Sequence, residues 1–186
     1  MIAEEFVMKW QILLVIGPLL IATGCAPRAP QRDFSLETVL LDESVFLRGS
    51  KAGSITPIRG REGARVAIGR DIWGKKGFAG HDVYCYSSAR RAAREFEYRK
   101  SVWFLPTEYS EPWVVTSGVS YQSPIADQFC LACSIEHAVP ICQVLAQYEE
   151  CVVRLKVDMF PEFMTFDRLE QVLQTTDERM ARYLGK

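Results

Sequence analysis

The sequence is poor in histidine, with two in 186 residues, and it has no excess of charge of either sign, 22 basic against 23 acidic side chains. The balance excludes the basic stripe by which proteins grip a phosphate backbone, so no nucleic-acid partner is expected. Two histidines, His81 and His137, far apart in the chain, leave little for general acid–base catalysis, and no G-x-S-x-G elbow accompanies them. Both read as surface residues, and no catalytic set is assigned. No apolar run reaches the about 20 residues of a spanning helix, and no internal repeat is visible. GRDIWGKK, residues 69 to 76, stops short of a phosphate loop: Lys76 stands where a Ser or Thr hydroxyl would hold magnesium. It reads as a loop connecting strands, and no cofactor is expected.

The strongest apolar run is WQILLVIGPLLIATGC, Trp10 to Cys25. Its length suits the core of an export signal, and small residues precede its end. Glu4 and Glu5 do not suit the basic start of such a signal. Translation from Met8 would supply one, with Lys9 beside the amino terminus. Ala22-Thr23-Gly24-Cys25 resembles a bacterial lipobox, although Ala22 stands where that pattern favours leucine. The resemblance implies cleavage before Cys25, acylation of its sulfur and a place at the cell membrane or outer membrane, with the rest facing the periplasm or exterior. Residues 1–24 would be signal, 25–33 (beginning Cys-Ala-Pro-Arg-Ala-Pro) a lipidated tether, and 34–186 one domain. The membrane would be a partner through acyl chains alone, each buried methylene contributing about 0.8 kcal/mol, since the chain after residue 24 holds as many acidic as basic residues.

The remaining length is that of a single domain. Residues 35–48 suggest a short helix or turn, and residues 49–63, with Gly, Ser, Pro and Arg, a loop. ARVAIGRDIWG and HDVYCYSS alternate as strands, joined by the glycines of a mobile GKKGFAG. Ala89, Ala92, Ala93 and Phe96 then fall at helical spacing, with Ser87 or Ser88 as cap. SVWFLP and PWVVTSGVSY look like strands, as do the run through FCLACSI and the two runs of VPICQVLAQYEECVVRLKVDM, which turn near Gln147 to Glu150. The last segment is an amphipathic helix: Thr165 caps it, Phe166, Leu169, Val172, Leu173, Met180 and Leu184 form its stripe, and Gly185 stops it. This order predicts an α+β fold, an antiparallel sheet with two helices packed on one face. The layout is similar to small extracytoplasmic domains of bacterial lipoproteins.

Five cysteines follow Cys25: Cys85, Cys130, Cys133, Cys142 and Cys151. In an exported domain, disulfides are the default. Cys133 and Cys142 flank the HAVP turn and would meet if their strands are antiparallel neighbours. For a second bridge, Cys85 with Cys151 is set ahead of Cys130 with Cys151, leaving Cys130 free. Two alternatives use the same sulfurs. Cys130 and Cys133 form a C-x-x-C for thiol–disulfide exchange, but no helix follows to lower a thiol pKa. Cys130, Cys133, His137, Cys142 and Cys151 have zinc-like chemistry at a spacing that fits no compact zinc module. No metal is expected, and Ser134 after Cys133 excludes covalent haem. Trp103 and Trp113 read as packing residues, whereas Trp73 and Phe78, beside Lys75 and Lys76, form a candidate loop for an unknown protein or small ligand. The function expected is a tethered, non-catalytic domain for binding, sensing or envelope maintenance. Thiol–disulfide exchange, or a structural role in an envelope complex, are the alternatives.

Overall fold

Alternating β-branched and aromatic residues give way to helical spacing twice along the chain, and the folded elements follow that rhythm. The computed structural model describes residues 32–59, 63–115 and 118–186. The segment Ala22 to Cys25 and the first part of the tether lie outside the described residues. Strands run over Lys51–Ala52 (β1), Thr56–Pro57 (β2), Val66–Gly74 (β3), Gly77–Cys85 (β4), Gln128–Glu136 (β5), Val139–Tyr148 (β6) and Cys151–Asp158 (β7). Helices span Ala89–Trp103 (α1) and Phe166–Leu184 (α2), and two 3₁₀ turns, Leu36–Val39 and Glu43–Val45, precede β1. All strands belong to one antiparallel sheet in the order β1-β3-β4-β7-β6-β5, with β2 also paired to β3. The α+β class with an antiparallel sheet is the one the sequence predicts.

The placement of the helices differs from the expectation. Ala92 and Phe96 of α1 pack with Tyr84, Tyr86, Leu145 and Val152. Leu169, Val172, Leu173, Met180 and Leu184 of α2 pack with Val83, Cys85, Ala146, Val153 and Leu155. Neighbours along a strand point to opposite faces, so Tyr84 and Val83, or Val152 and Val153, lie on different sides. The two helices therefore cover opposite faces of the sheet. Residues 141 to 148 of β6 are buried without interruption, as a strand covered on both sides must be.

The caps form as the sequence indicates. The Ser88 hydroxyl accepts from the Arg91 amide at 3.2 Å, and that of Thr165 accepts from Arg168 at 3.2 Å. Gly185 ends α2 with φ 75°, in the left-handed region that a C-terminal cap uses. The α2 stripe is buried except Phe166, which is 38 % exposed. Truncating a fully buried member such as Leu169 to Ala would cost about 2–5 kcal/mol.

Three local expectations are corrected. GKKGFAG is not a mobile loop: β4 begins at Gly77, Gly74 pairs with Gly77, and only Lys75 and Lys76 make the turn. Residues 101 to 103 continue α1, because Trp103 falls on the buried stripe of Ala92, Phe96 and Arg99; Pro106 then prevents any continuation. The run beginning at Pro112 makes no full strand. Single bridges join Ser110 to Glu136 and Val114 to Cys133, so this segment shields the edge of β5.

Candidate functional site

The register of the sheet decides what each cysteine can do. Cys85 lies directly opposite Cys151 in the β4–β7 pair, and Cys133 opposite Cys142 in the β5–β6 hairpin. Both pairs are disulfide-bonded, with Cα separations of 4.1 and 4.0 Å. All four sulfurs point to the α2 face. Among the described residues Cys130 is the free thiol, and its position three residues before Cys133 on a strand turns it to the α1 face. Cys130 and Cys133 consequently cannot close a mutual disulfide, and the C-x-x-C is not a redox pair in this fold. The same division breaks the zinc set, since Cys133, Cys142 and Cys151 are already bonded. Burial pushes the Cys130 thiol up, with Lys100 opposing and Glu97 adding to the shift. The thiol lies in a hollow of about 420 Å³ that Phe104, Leu105, Trp113 and Val115 also line.

The histidines occupy unlike places. His137 is in the β5–β6 turn with φ 50° and stacks on Tyr109 at 4.8 Å. His81, expected on the surface, is fully buried on the α2 face. Its Nδ1 accepts from the Leu41 amide at 3.0 Å, and its Nε2 has no partner. Arg70 and Arg179 hold the carbonyls of Leu41 and Leu40 at 3.2 and 2.5 Å. Burial, then the charges of Arg179 and Arg70, lower the His81 pKa to about 3. A ring so placed is a neutral hydrogen-bond acceptor within the core, with no nucleophile bonded to it.

The α1 face carries a stacked cluster that sequence reading did not find. Arg99 lies 3.9 Å from the Tyr84 ring centre and 4.6 Å from that of Trp103, and it donates to the Tyr86 hydroxyl at 3.1 and 3.2 Å. Arg154 lies 4.3 Å from the Trp103 ring centre and donates to Gln143 Oε1 at 2.9 and 3.1 Å. Cation–π contacts of this kind contribute roughly 0.5–2 kcal/mol each, more as water is excluded. Burial lowers the Arg154 pKa against the pull of Asp82, 3.8 Å away, and burial raises that of Asp82. The only signal in sequence was the helical spacing that puts Arg99 and Trp103 on one side of α1; Arg154 comes from a strand remote in the chain.

At the far end of β3 and β4 sits the predicted loop. Trp73 and Phe78 are register partners, 48 % and 37 % exposed, with ring centres 6.3 Å apart. Lys51 of β1 lies opposite Trp73. Lys76 pairs with Glu162 at 2.9 Å, and Lys75 is exposed. α1 packs on β5, β6 and β7; on the β3–β4 part of that face Ile58 lies over Gly69, and Asp71, Trp73 and Phe78 beyond it are exposed. The structure thus brings Trp73, Lys75, Lys76 and Phe78 together at one tip. It does not bring them near the cysteines.

The opposite end is held by Arg32, the first described residue. Its guanidinium donates to Glu150 at 2.8 to 3.1 Å, to Glu149 at 2.8 Å and to the Leu184 carbonyl at 3.2 Å, and lies 5.7 Å from the Tyr183 ring centre. These contacts fix the chain against the β6–β7 turn and the end of α2.

No family model matches the sequence, and no curated protein matches it significantly. Among solved structures, the fold is similar to that of the extracellular domain of PknH from Mycobacterium tuberculosis, with a TM-score of 0.57 at 8% identity, over 81% of this chain and 95% of that one. At that identity the likeness is one of fold.

Proposed function

We propose that this chain is a lipid-anchored bacterial protein whose α+β domain lies outside the cytoplasm and works by binding or sensing rather than by catalysis. The observation that carries the reading is the pair of cross-strand disulfides, Cys85–Cys151 and Cys133–Cys142. Such bonds persist in oxidising compartments and are rare where thioredoxin and glutathione keep thiols reduced. A fold similar to that of the extracellular domain of PknH supports the same location. The lipobox-like Ala22 to Cys25 supplies the anchor in this reading, and the chain from Cys25 to Arg32 is short enough to hold the Arg32 end near the bilayer. Among the described residues no helix is long and apolar enough to cross a membrane. The binding role draws on the exposed tip at Trp73, Lys75, Lys76 and Phe78.

Radioactive palmitate incorporated into the whole chain expressed in a bacterium, beside Cys25→Ala, tests the anchor. Label in the first and none in the second is expected; equal labelling of both refutes acylation at Cys25. Trapping of free thiols with an alkylating mass tag tests the compartment. One tag per chain is expected on acylated protein, and five on the unreduced protein would place it in a reducing environment.

A further inference from the structure

We infer that the hollow between α2 and the segment from Tyr121 to Ile125 binds a small organic cation, an amine carried on an apolar body. The site lies on the α2 side of the sheet, away from the tip at Trp73, and does not depend on acylation of Cys25.

Three observations carry it. First, the chain leaves a buried negative charge without a counter-charge. Asp177 is 6 % exposed, and its carboxylate accepts from the hydroxyls of Tyr148 at 2.6 Å, of Ser123 at 2.9 Å and of Tyr121. Those hydroxyls satisfy its lone pairs but carry no charge, whereas buried charges in proteins are ordinarily paired. Among the described residues no cation forms an ion pair with it. Second, Asp177 lines a hollow of about 440 Å³ in which the other charged lining residue, Glu178, is again acidic. Glu178 is exposed, and its carboxylate also lacks an ion pair among the described residues. Of the cations that follow on α2, Arg179 donates to the Leu40 carbonyl and to Asp42, and Arg182 to the backbone carbonyl of Glu178 rather than to its carboxylate. Third, apart from Gln174 the remaining walls are apolar or aromatic. Pro124, Ile125 and Ala181 line the hollow with Tyr121, whose ring stands edge-on to Phe129 at 6.1 Å. Such walls suit no hydrated metal ion, which takes several oxygen ligands, and among the described residues no group of three His, Cys, Asp or Glu side chains is placed to hold one. An ammonium group beside Asp177 and Glu178 gains from both charges and from the tyrosine ring, while its carbon body covers the aliphatic wall.

The test uses the full chain, labelled with nitrogen-15 and held in detergent micelles. Phenethylamine is titrated beside phenethyl alcohol, phenylacetate, magnesium chloride and a capped lysine, which presents the same ammonium on a peptide. Saturable amide shifts confined to the surroundings of Ile125, Gln174 and Glu178 are expected with phenethylamine. Its affinity should exceed that of the neutral alcohol roughly tenfold, the sum of a modest ion pair and a cation–π contact. Glu178→Gln, on an exposed side chain, should weaken it about threefold, and Asp177→Asn more. The melting midpoint establishes that each variant is folded, and Glu178→Gln carries the test by itself if Asp177→Asn unfolds. Absence of saturable shifts, shifts centred elsewhere, equal affinity for the alcohol or for magnesium, or unchanged affinity in folded Glu178→Gln overturns the proposal. Tighter binding of the capped lysine overturns it too, since the amine would then belong to a polypeptide. Cys25→Ala should bind phenethylamine as the parent does, so failure of the titration leaves the anchor untouched and failure of palmitate labelling leaves the hollow untouched.

Discussion

Lowering the pH from 7 to 5 should destabilise this protein chiefly through one side chain, His81. In the folded state its ring stays neutral down to about pH 3, whereas in the unfolded chain it takes up a proton near pH 6.5. The lowered value means that the contribution to stability is full above pH 6.5 and is lost as pH falls from there to about 3. Each unit in that window costs about 1.4 kcal/mol, so pH 5 costs about 2 kcal/mol relative to pH 7. The structural origin is specific. Protonation would set Nδ1–H against the Leu41 amide that this nitrogen now accepts from, between Arg70 and Arg179. Asp42 and Glu149, held below their ordinary values by burial-opposed hydrogen bonds to Ser44 and Arg179, and to Arg32 and Lys186, lose their contributions only at lower pH. Urea unfolding at pH 7 and pH 5, followed by tryptophan fluorescence, reads the effect. His81→Asn keeps an acceptor for Leu41 but does not titrate, so it should lose about 2 kcal/mol less than the parent over the same interval. Equal losses in the two proteins would refute the assignment.

The Cys85–Cys151 bridge spans 66 residues and the Cys133–Cys142 bridge 9, so chain entropy gives them about 4 and about 3 kcal/mol; double serine variants compared by urea midpoint should keep that order, and the reverse order would count against the entropic account. Among the five cysteines after Cys25, Cys130 should be the one that reacts with iodoacetamide without reductant, slowly at neutral pH because burial raises its pKa, with the rate climbing above the ordinary thiol range; peptide mapping that finds modified Cys85, Cys133, Cys142 or Cys151 would contradict the pairing. Asp177 accepts from Tyr148 at 2.6 Å, from Ser123 at 2.9 Å and from Tyr121; Tyr148→Phe should cost about 1.5–3 kcal/mol, as loss of a buried hydrogen bond to a charged group does, and Tyr121→Phe, on the more exposed hydroxyl, should cost less by calorimetry.

Much of the fold is written in local pattern. The spacing of Ala89, Ala92 and Phe96, the caps at Ser88 and Thr165, and the stop at Gly185 depend on residues within a few positions of each other, where 3.6-residue periodicity and capping act. The Cys133–Cys142 pair was legible for the same reason, since nine residues across a short turn leave an antiparallel hairpin almost one register. The favoured Cys85–Cys151 pair needed β4 and β7 to be neighbours, which spacing alone does not dictate.

Tertiary structure decided what depends on which surfaces meet. Two amphipathic helices can cover one face of a sheet or both, and their stripes are the same either way; the choice was made by β6, whose unbroken burial requires cover on each side. His81 is buried because β4 alternation sends it with Ala79 and Val83 towards α2, a direction set by pairing rather than composition. Arg99, Trp103 and Arg154 stack only because α1 crosses β7, and the tip at Trp73 stands opposite Arg32 only because the sheet is one strand-length long. Periodicity acts along the chain and is readable there, while the partner of each face is fixed by the global packing that removes the most apolar surface from water.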